Sequence, residues 1–496
     1  MKTQIRSTLC AVSALLLTTL MVYADEEPFS AVWRGGSTQF LSYSPNWVGN
    51  AVPGRVRSIV DGVSVTNGPW GCTMIFDGTS TWPNNLYTDD TNKKLLLVST
   101  WKMIFRGASL IQNYINAWQT LRIEAGGGIY VEEDVGHVPY FADNSAFCIY
   151  NASADSHTVT IRNDSTLAPF KFFSVNNASG MRADGWTGNP TLRLEGKGDV
   201  KFTGEMLELS GACNLEIAQE GSGKTIFDNG SYNCFVRSLT IPESTTMRAI
   251  QIKSGATLST RMFGGDNARP LVVNSDCEIS GGGTLFFGYG LNDRSNIQIA
   301  PGKTLYFNTK MRNNSLTSGQ TLGMCVLGGG NMVMGENATN RINGAVIVEG
   351  GSSLRVNDVG VAGGTSPLGT GSAITLKGGS SFVYGGKGEV TDRTLTFGTG
   401  GGSLVHCGTG NLTLGAVSMS ANSSLVVSNN ATLALSSISR TAGTLDVRPA
   451  SGGKVVICAG VSAGRAPEWL TYNGEKAKIL ADGTVVGPGG FVITFH

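Results

Sequence analysis

The stretch GSAITLKGGSSFVYGGKGEVTDRTLTFGTGGGSLVHCGTGNLTL, Gly371 to Leu414, decides the fold. Five runs within it, AITL, SFVY, TLTF, SLVH and NLTL, are four residues long and alternate apolar with polar or small side chains. Alternation of period two buries one face of a β-strand. Between the runs stand glycine-rich corners, and glycine reaches the positive φ that a tight corner demands at no steric cost. Further out, from Ala373 to Ile457, about nine such runs follow one another at intervals of nine or ten residues, and none is long enough to carry a helical period.

The same grammar extends upstream in two phrases. One pairs small residues with an alternating run: SGATLST (Ser254 to Thr260), PGKTLYF (Pro301 to Phe307), GGSSLRV (Gly350 to Val356), NNATLAL (Asn429 to Leu435). The other sets two glycines one residue apart before the strand: GKGDVKF (Gly196 to Phe202), GGGTLFF (Gly281 to Phe287), GGGNMVM (Gly328 to Met334), GTGNLTL (Gly408 to Leu414). A β-sandwich closes within about 100 residues, whereas this pattern runs for several hundred without a proline-rich or charged linker. Short strands with glycine corners suit a solenoid in which each coil bonds to the coils above and below. The expected fold is therefore all-β, a right-handed single-stranded parallel β-helix with N- and C-terminal caps. Coils of roughly 20 to 25 residues rising about 4.8 Å each would make residues 67–460 a rod on the order of 80 Å long.

Composition agrees. Glycine supplies 68 of 496 residues, about twice the usual 7%, charged residues only 15% and apolar residues 41%, which excludes the highly charged composition of disorder. Lys2 and Arg6 precede an apolar run from Leu9 to Val22, and Tyr23 and Ala24 lead into acidic residues. This is the layout of a secretory signal peptide cleaved after Ala24. The apolar core, about 14 residues, is shorter than the roughly 20 of a spanning helix, and Cys10 sits too early for a lipid anchor. Without residues 1–24 the chain has 35 basic and 36 acidic residues, a charge of −1. A near-neutral surface exerts no long-range pull on nucleic acid or anionic lipid. The last hundred residues lack the aromatic girdles of an outer-membrane barrel, so the expectation is an exported chain, extracellular, cell-surface or periplasmic, without a translocator or transmembrane segment of its own. Eight cysteines follow the leader, scattered and without CxxC; the spacing allows disulfides or buried thiols and argues against a zinc site.

Arg341 to Val417 resembles the autotransporter-associated β-strand repeat of large bacterial secreted proteins. The likeness rests on Gly344 to Val348, on GSSL at Gly351 to Leu354, on SPLGTG at Ser366 to Gly371 and on the closing GTGNLTL. The piece VWRGGSTQFLSYSPNWVGNAVPG, Val32 to Gly54, is similar to the W…NW…P opening that precedes such repeats, with Trp33 and Trp47 placed to close the apolar end of the first coil. Leu470 to Gly487 is similar to the ending of the same proteins. The resemblance implies a β-helix and divides the chain into a signal peptide (1–24), an N-terminal cap (25–66), irregular coils (67–340), repeat coils (341–460) and a C-terminal cap (461–496). It implies a structural or adhesive, adhesin-like role at a cell surface, with a surface glycan or extracellular matrix polymer as partner.

One motif points elsewhere. EGSGKTIF, Glu220 to Phe227, ends in the Gly-Lys-Thr of a phosphate-binding loop. The loop needs glycine at 218, where Ala218 stands, and a helix after the threonine to aim its N–H groups at phosphate; TIFDNGSYN offers none. Thr225 and Phe227 are instead read as inward strand residues and Lys224 as outward, so no nucleotide is expected. For catalysis, β-helix polysaccharide lyases and hydrolases gather carboxylates from neighbouring coils. The best candidates with that spacing are Asp134 with His137 and Asp155 with His157, flanked by Glu132, Glu133 and Asp143; solvated turn residues are the favoured reading of them. His406 inside SLVH reads as a strand residue. No catalytic, cofactor-binding or metal residue is assigned, and an enzyme acting on polysaccharide stands as the alternative. Seven of eight tryptophans, Trp33, Trp47, Trp70, Trp82, Trp101, Trp118 and Trp186, precede residue 190, the last being Trp469; any glycan site is expected in that half.

Overall fold

The computed structural model describes residues 29–489 apart from 35–42, 54, 61–62, 68–70, 78–85, 88–96, 108–114, 117–120, 137–146, 151–157, 175–181, 185–190, 205–213, 231–232, 261–270, 288–293, 314–322, 341 and 429. The described residues are almost wholly β and turn, with one short 3₁₀ helix at Ser44–Asn46. No helix among them is long and apolar enough to cross a membrane.

The strands stack in parallel rows, each coil adding one strand to a row. In the first row a single apolar column runs through Val159, Leu192, Leu215, Leu239, Leu271, Ile297, Val326, Val348, Leu376, Phe397 and Met419, register partner by register partner. All of them are buried. A second row carries Leu305, Met332, Leu354, Phe382, Leu404, Leu425 and Val447 in the same way. A third, broken row appears at 233–236, 257–260, 284–287 and 310–313 and again at 411–414, 432–435 and 454–457. The chain is thus a β-solenoid whose core is the space between rows. Its in-out alternation is the period-two pattern of the sequence, made permanent because a slip of one residue would turn every inward side chain out.

Fifteen consecutive parallel pairings carry the first row from Ser30–Val32 to Thr432–Arg440, which at about 4.8 Å per pairing spans about 72 Å. Coil length departs from the expected 20 to 25 residues. It is 21 from Leu404 to Leu425 but 33 from Val159 to Leu192. Pairing fixes only the strands; extra residues at a corner cost little loop entropy and can lie outside the core.

The double-glycine phrase now has a cause. Gly196 (φ 96°) and Gly281 (φ 116°) open two of its copies, and a Cβ at either would come within 2.1 Å of the carbonyl oxygen of Asn163 or Ile252, on the preceding coil. The corner packs backbone on backbone, so only glycine fits.

Antiparallel pairing appears at both ends of the parallel stack. Arg55–Val60 pairs antiparallel with Val63–Asn67 and with the start of Leu97–Phe105. Trp33 and Trp47 are fully buried, edge to face at 5.1 Å, and both lie against Phe76, which stacks on Phe105 at 4.9 Å. At the other end, Leu470–Tyr472 closes the second row and turns back on Glu475–Lys476, while Gly464–Arg465, Lys478–Ile479 and Val485–Val486 form a small antiparallel sheet. An isolated bridge from Val456 to Thr484 ties that sheet to the last third-row strand.

Candidate functional site

Two of the carboxylates singled out in the sequence, Asp134 and Glu133, have fixed partners. Asp134 lies in the turn after Leu121–Val131, and both its oxygens accept the N–H of Gly107, on the preceding coil, at 3.1 Å. Glu133 pairs with Lys197 at 2.6 Å, and Glu132 is exposed. His137, Asp143, Asp155 and His157 lie outside the described residues. On the outer face of the first row, Arg162 pairs with Asp164 at 2.6 Å and approaches Glu195 at 4.0 Å, and Arg193 bonds both Glu195 and Glu216. The hydrogen bond to Asp164 raises the Arg162 pKa despite partial burial. The Arg162–Glu195 and Arg193–Glu216 pairs bridge successive coils while the other two run along one coil, and at such exposure each contributes at most about 1 kcal/mol. Among the described residues no group of three His, Cys, Asp or Glu is placed to hold a metal.

EGSGKTIF forms a corner. Gly221 turns with φ 60°, the Gly223 N–H closes on Glu220 O at 3.1 Å, and the Lys224 N–H donates to Asp199 at 2.9 Å. Lys224 points outward, while Thr225 and Phe227 are buried in the second row. The Thr225 hydroxyl donates to the Gln219 side-chain oxygen, and the Gln219 amide donates to Gly198 O and Lys224 O at 2.9 and 3.1 Å. The N–H groups that a phosphate would need are committed to a carbonyl and a carboxylate. Thr225→Val should lower stability by about 1–2 kcal/mol, because the buried Gln219 oxygen loses its donor; Lys224→Ala should change it by less than about 0.5 kcal/mol. Urea unfolding of the two variants beside wild type checks both.

His406 is buried in the second row with its ring 5.1 Å from that of Tyr384; Nε2 lies 3.1 Å from Gly410 O, and Nδ1 has no partner. Of the tryptophans, Trp33 and Trp47 are core, and Trp469 is half-buried against it. Trp70, Trp82, Trp118 and Trp186 lie outside the described residues, as does the Trp101 side chain. Cys72, Cys234, Cys277 and Cys325 are buried and Cys407 and Cys458 exposed. Burial pushes the Cys277 thiol well above the usual range, which makes it a poor nucleophile.

Residues not foreseen in the sequence build the loop that contains SPLGTG. Arg393, at 1% exposure, reaches into this loop of the preceding coil. Its guanidinium donates to the carbonyls of Gly360 (3.1 Å), Val361 (3.2 Å), Gly369 (2.6 Å) and Gly371, and to the Ser366 hydroxyl at 3.1 Å. Glu389 accepts the N–H groups of Val359 and Gly360 at 2.7 and 3.0 Å, Asp392 accepts that of Ala362, and Thr391 donates to Gly360 O. The run EVTDR is therefore a clamp. Its sequence signal was an arginine at the head of the apolar strand TLTF. Burial, followed by the neighbouring Asp358, raises the Glu389 pKa; burial also pushes the Tyr384 hydroxyl, whose oxygen accepts the Gly388 N–H, up to about 12. A raised carboxyl pKa means that the folded clamp prefers the protonated acid, so its stabilisation is full below the unfolded pKa near 4.3 and fades as pH rises through the folded value. Limited proteolysis within 357–371 should be slower at pH 4 than at pH 7, and Glu389→Gln should flatten that difference.

Two concave surfaces stand out among the described residues. A shallow groove of about 420 Å³ lies on the outer face of the second row, lined by Met247, Glu278, Tyr306, Asn308 and Val333. Glu278, Tyr306 and Val333 are successive register partners, one per coil, and Tyr306 is 44% exposed. A groove of about 740 Å³ lies at residues 464–488, with Ala466, Leu470, Ala477 and Ile479 within it and Arg465, Lys476 and Lys478 beside them.

The class these features define is a β-solenoid with a continuous apolar core. No family model matches the chain, and neither a curated protein nor a solved structure matches it at a significant level.

Proposed function

We propose that the chain is an exported or cell-surface β-solenoid of the autotransporter-associated repeat type, a capped, right-handed rod with a structural and adhesive role that binds a glycan or another surface polymer. The observation that carries the reading is the Tyr306 groove. One aromatic face stands half-exposed on a rigid row, with the Glu278 carboxylate one coil before it, the Asn308 amide two residues along the strand and apolar Val333 one coil after. An aromatic face packs against the C–H face of a pyranose, and the polar neighbours offer partners to its hydroxyls. Row spacing of about 4.8 Å sets these groups about one sugar ring apart. The position lies outside the tryptophan-rich half, where the sequence alone placed any glycan site. A catalytic reading gains no support from Asp134 and Glu133, whose oxygens hold a backbone N–H and a lysine.

A glycan array probed with residues 25–496, beside Tyr306→Ala and Glu278→Gln, tests the proposal. The expected result is binding that falls at least tenfold in Tyr306→Ala, about 1.4 kcal/mol, with unchanged thermal unfolding. Binding that ignores both substitutions would remove the Tyr306 groove; release of reducing ends or unsaturated sugars would replace adhesion with catalysis.

A further inference from the structure

The Tyr306 groove holds one charge that its neighbours leave unanswered. The outer column of the second row runs Lys224, Ala249, Glu278, Tyr306, Val333 and Arg355, one residue per coil in register. Glu278 lines the groove half-buried and forms no ion pair among the described residues. The cations of its column stand two coils before it and three coils after, about 10 and 14 Å away at about 4.8 Å per coil. Salt screens exposed charges at such distances, so neither Lys224 nor Arg355 neutralises the carboxylate.

The other groups of the groove divide the work. Asn308 lies across Gly335, where a Cβ would come within 2.5 Å of its side-chain oxygen, and that oxygen accepts the Asn337 N–H at 3.0 Å. Its NH2 is the group left to a ligand, and it donates. Tyr306 and Met247, 44% and 45% exposed, supply an aromatic face and a thioether. Glu278 is therefore the one anionic acceptor in the lining, and the Tyr306 face one coil on attracts the same kind of ligand charge. Half-burial removes part of the water that weakens an ion pair on an open surface. Resting on the glycan reading of this groove, we propose that its ligand is an amino sugar: the ring stacked on Tyr306 directs a protonated, unacetylated amine to the Glu278 carboxylate. The column also sets a limit, because a second ammonium two rings further along would face Arg355. A chain with one free amine among neutral rings fits better than a uniform polycation.

Calorimetric titration of the chain with a glucosamine tetramer and with its fully N-acetylated form tests this, at about pH 6, where an amine is protonated, and low salt. N-acetylation removes the charge and leaves the ring. The free amine form is expected to bind at least about tenfold more tightly, a preference that raised salt narrows. Glu278→Gln should erase the preference while the acetylated form binds as it does to wild type. Arg355→Gln should strengthen binding of the free amine tetramer by removing a like charge, which a merely structural role would not do. Equal binding of the two forms, with Tyr306→Ala still abolishing both, would overturn the amino-sugar inference and leave the glycan reading standing. Binding of neither form, or binding indifferent to Tyr306→Ala, would remove the glycan reading and the inference together. A tetralysine peptide that binds as tightly as the glucosamine tetramer would assign the groove to protein amines and overturn the inference as well.

Discussion

Arg393→Ala should destabilise the coils around residues 357–397 by about 3–5 kcal/mol, the range for removing a buried charged partner and leaving its acceptors unmet. Four carbonyls and a serine hydroxyl accept from this guanidinium. Thr391 also donates to Gly360 O, the Gly364 N–H to Val361 O and the Ser366 hydroxyl to Gly369 O, so at these three carbonyls the guanidinium is a second donor. Burial is the largest influence on Arg393 and lowers its pKa, but a guanidinium remains charged, and here carbonyl oxygens surround it in place of water. Lysine offers three donors from one nitrogen and cannot span four carbonyls, so Arg393→Lys should recover less than half of the loss. Because a stacked array need not unfold in one step, the measurement is local. Protease cleavage within 357–371 should accelerate at least 100-fold in the alanine variant, while cleavage elsewhere is unchanged. Equal cleavage in wild type and variant would show that the loop holds without its clamp.

The second large effect is expected at Phe227→Ala, also about 3–5 kcal/mol, from lost burial and the cavity left behind. Phe227 and Phe202 stack nearly parallel, 4.9 Å apart, on consecutive coils and are fully buried. Ile252 follows Phe227 in the same column. The coils cannot close the gap, because their spacing is set by backbone pairing on every row and not by the side chains between them. Hydrogen exchange should quicken in 200–252 and stay unchanged in 404–447, some seven or more coils away, since each coil touches chiefly its neighbours. A uniform loss along the rod would mean that the solenoid unfolds as one unit.

The stacking direction was legible in AITL, SFVY, TLTF, SLVH and NLTL because alternation and glycine corners are local properties. So was the fate of Thr225 and Phe227, which came from their places in a strand phrase. The Arg393 clamp was not legible. Arg393 lies 22 to 33 residues from the carbonyls it holds, a distance only coil length translates into contact. The partners of Asp134 and Glu133, at Gly107 and Lys197, were hidden for the same reason. So was the Tyr306 groove: Glu278, Tyr306 and Val333 are 28 and 27 residues apart and meet only through register.

By itself the sequence determined that this chain is built from short strands with inward and outward faces set by period two, and that its corners need glycine. Only the tertiary structure decided how many residues each coil takes and hence which distant side chains share a surface. The reason is physical: a strand's faces are fixed by its own backbone, whereas register between coils is fixed by how much chain each corner absorbs, and corner length leaves no periodic trace in the sequence.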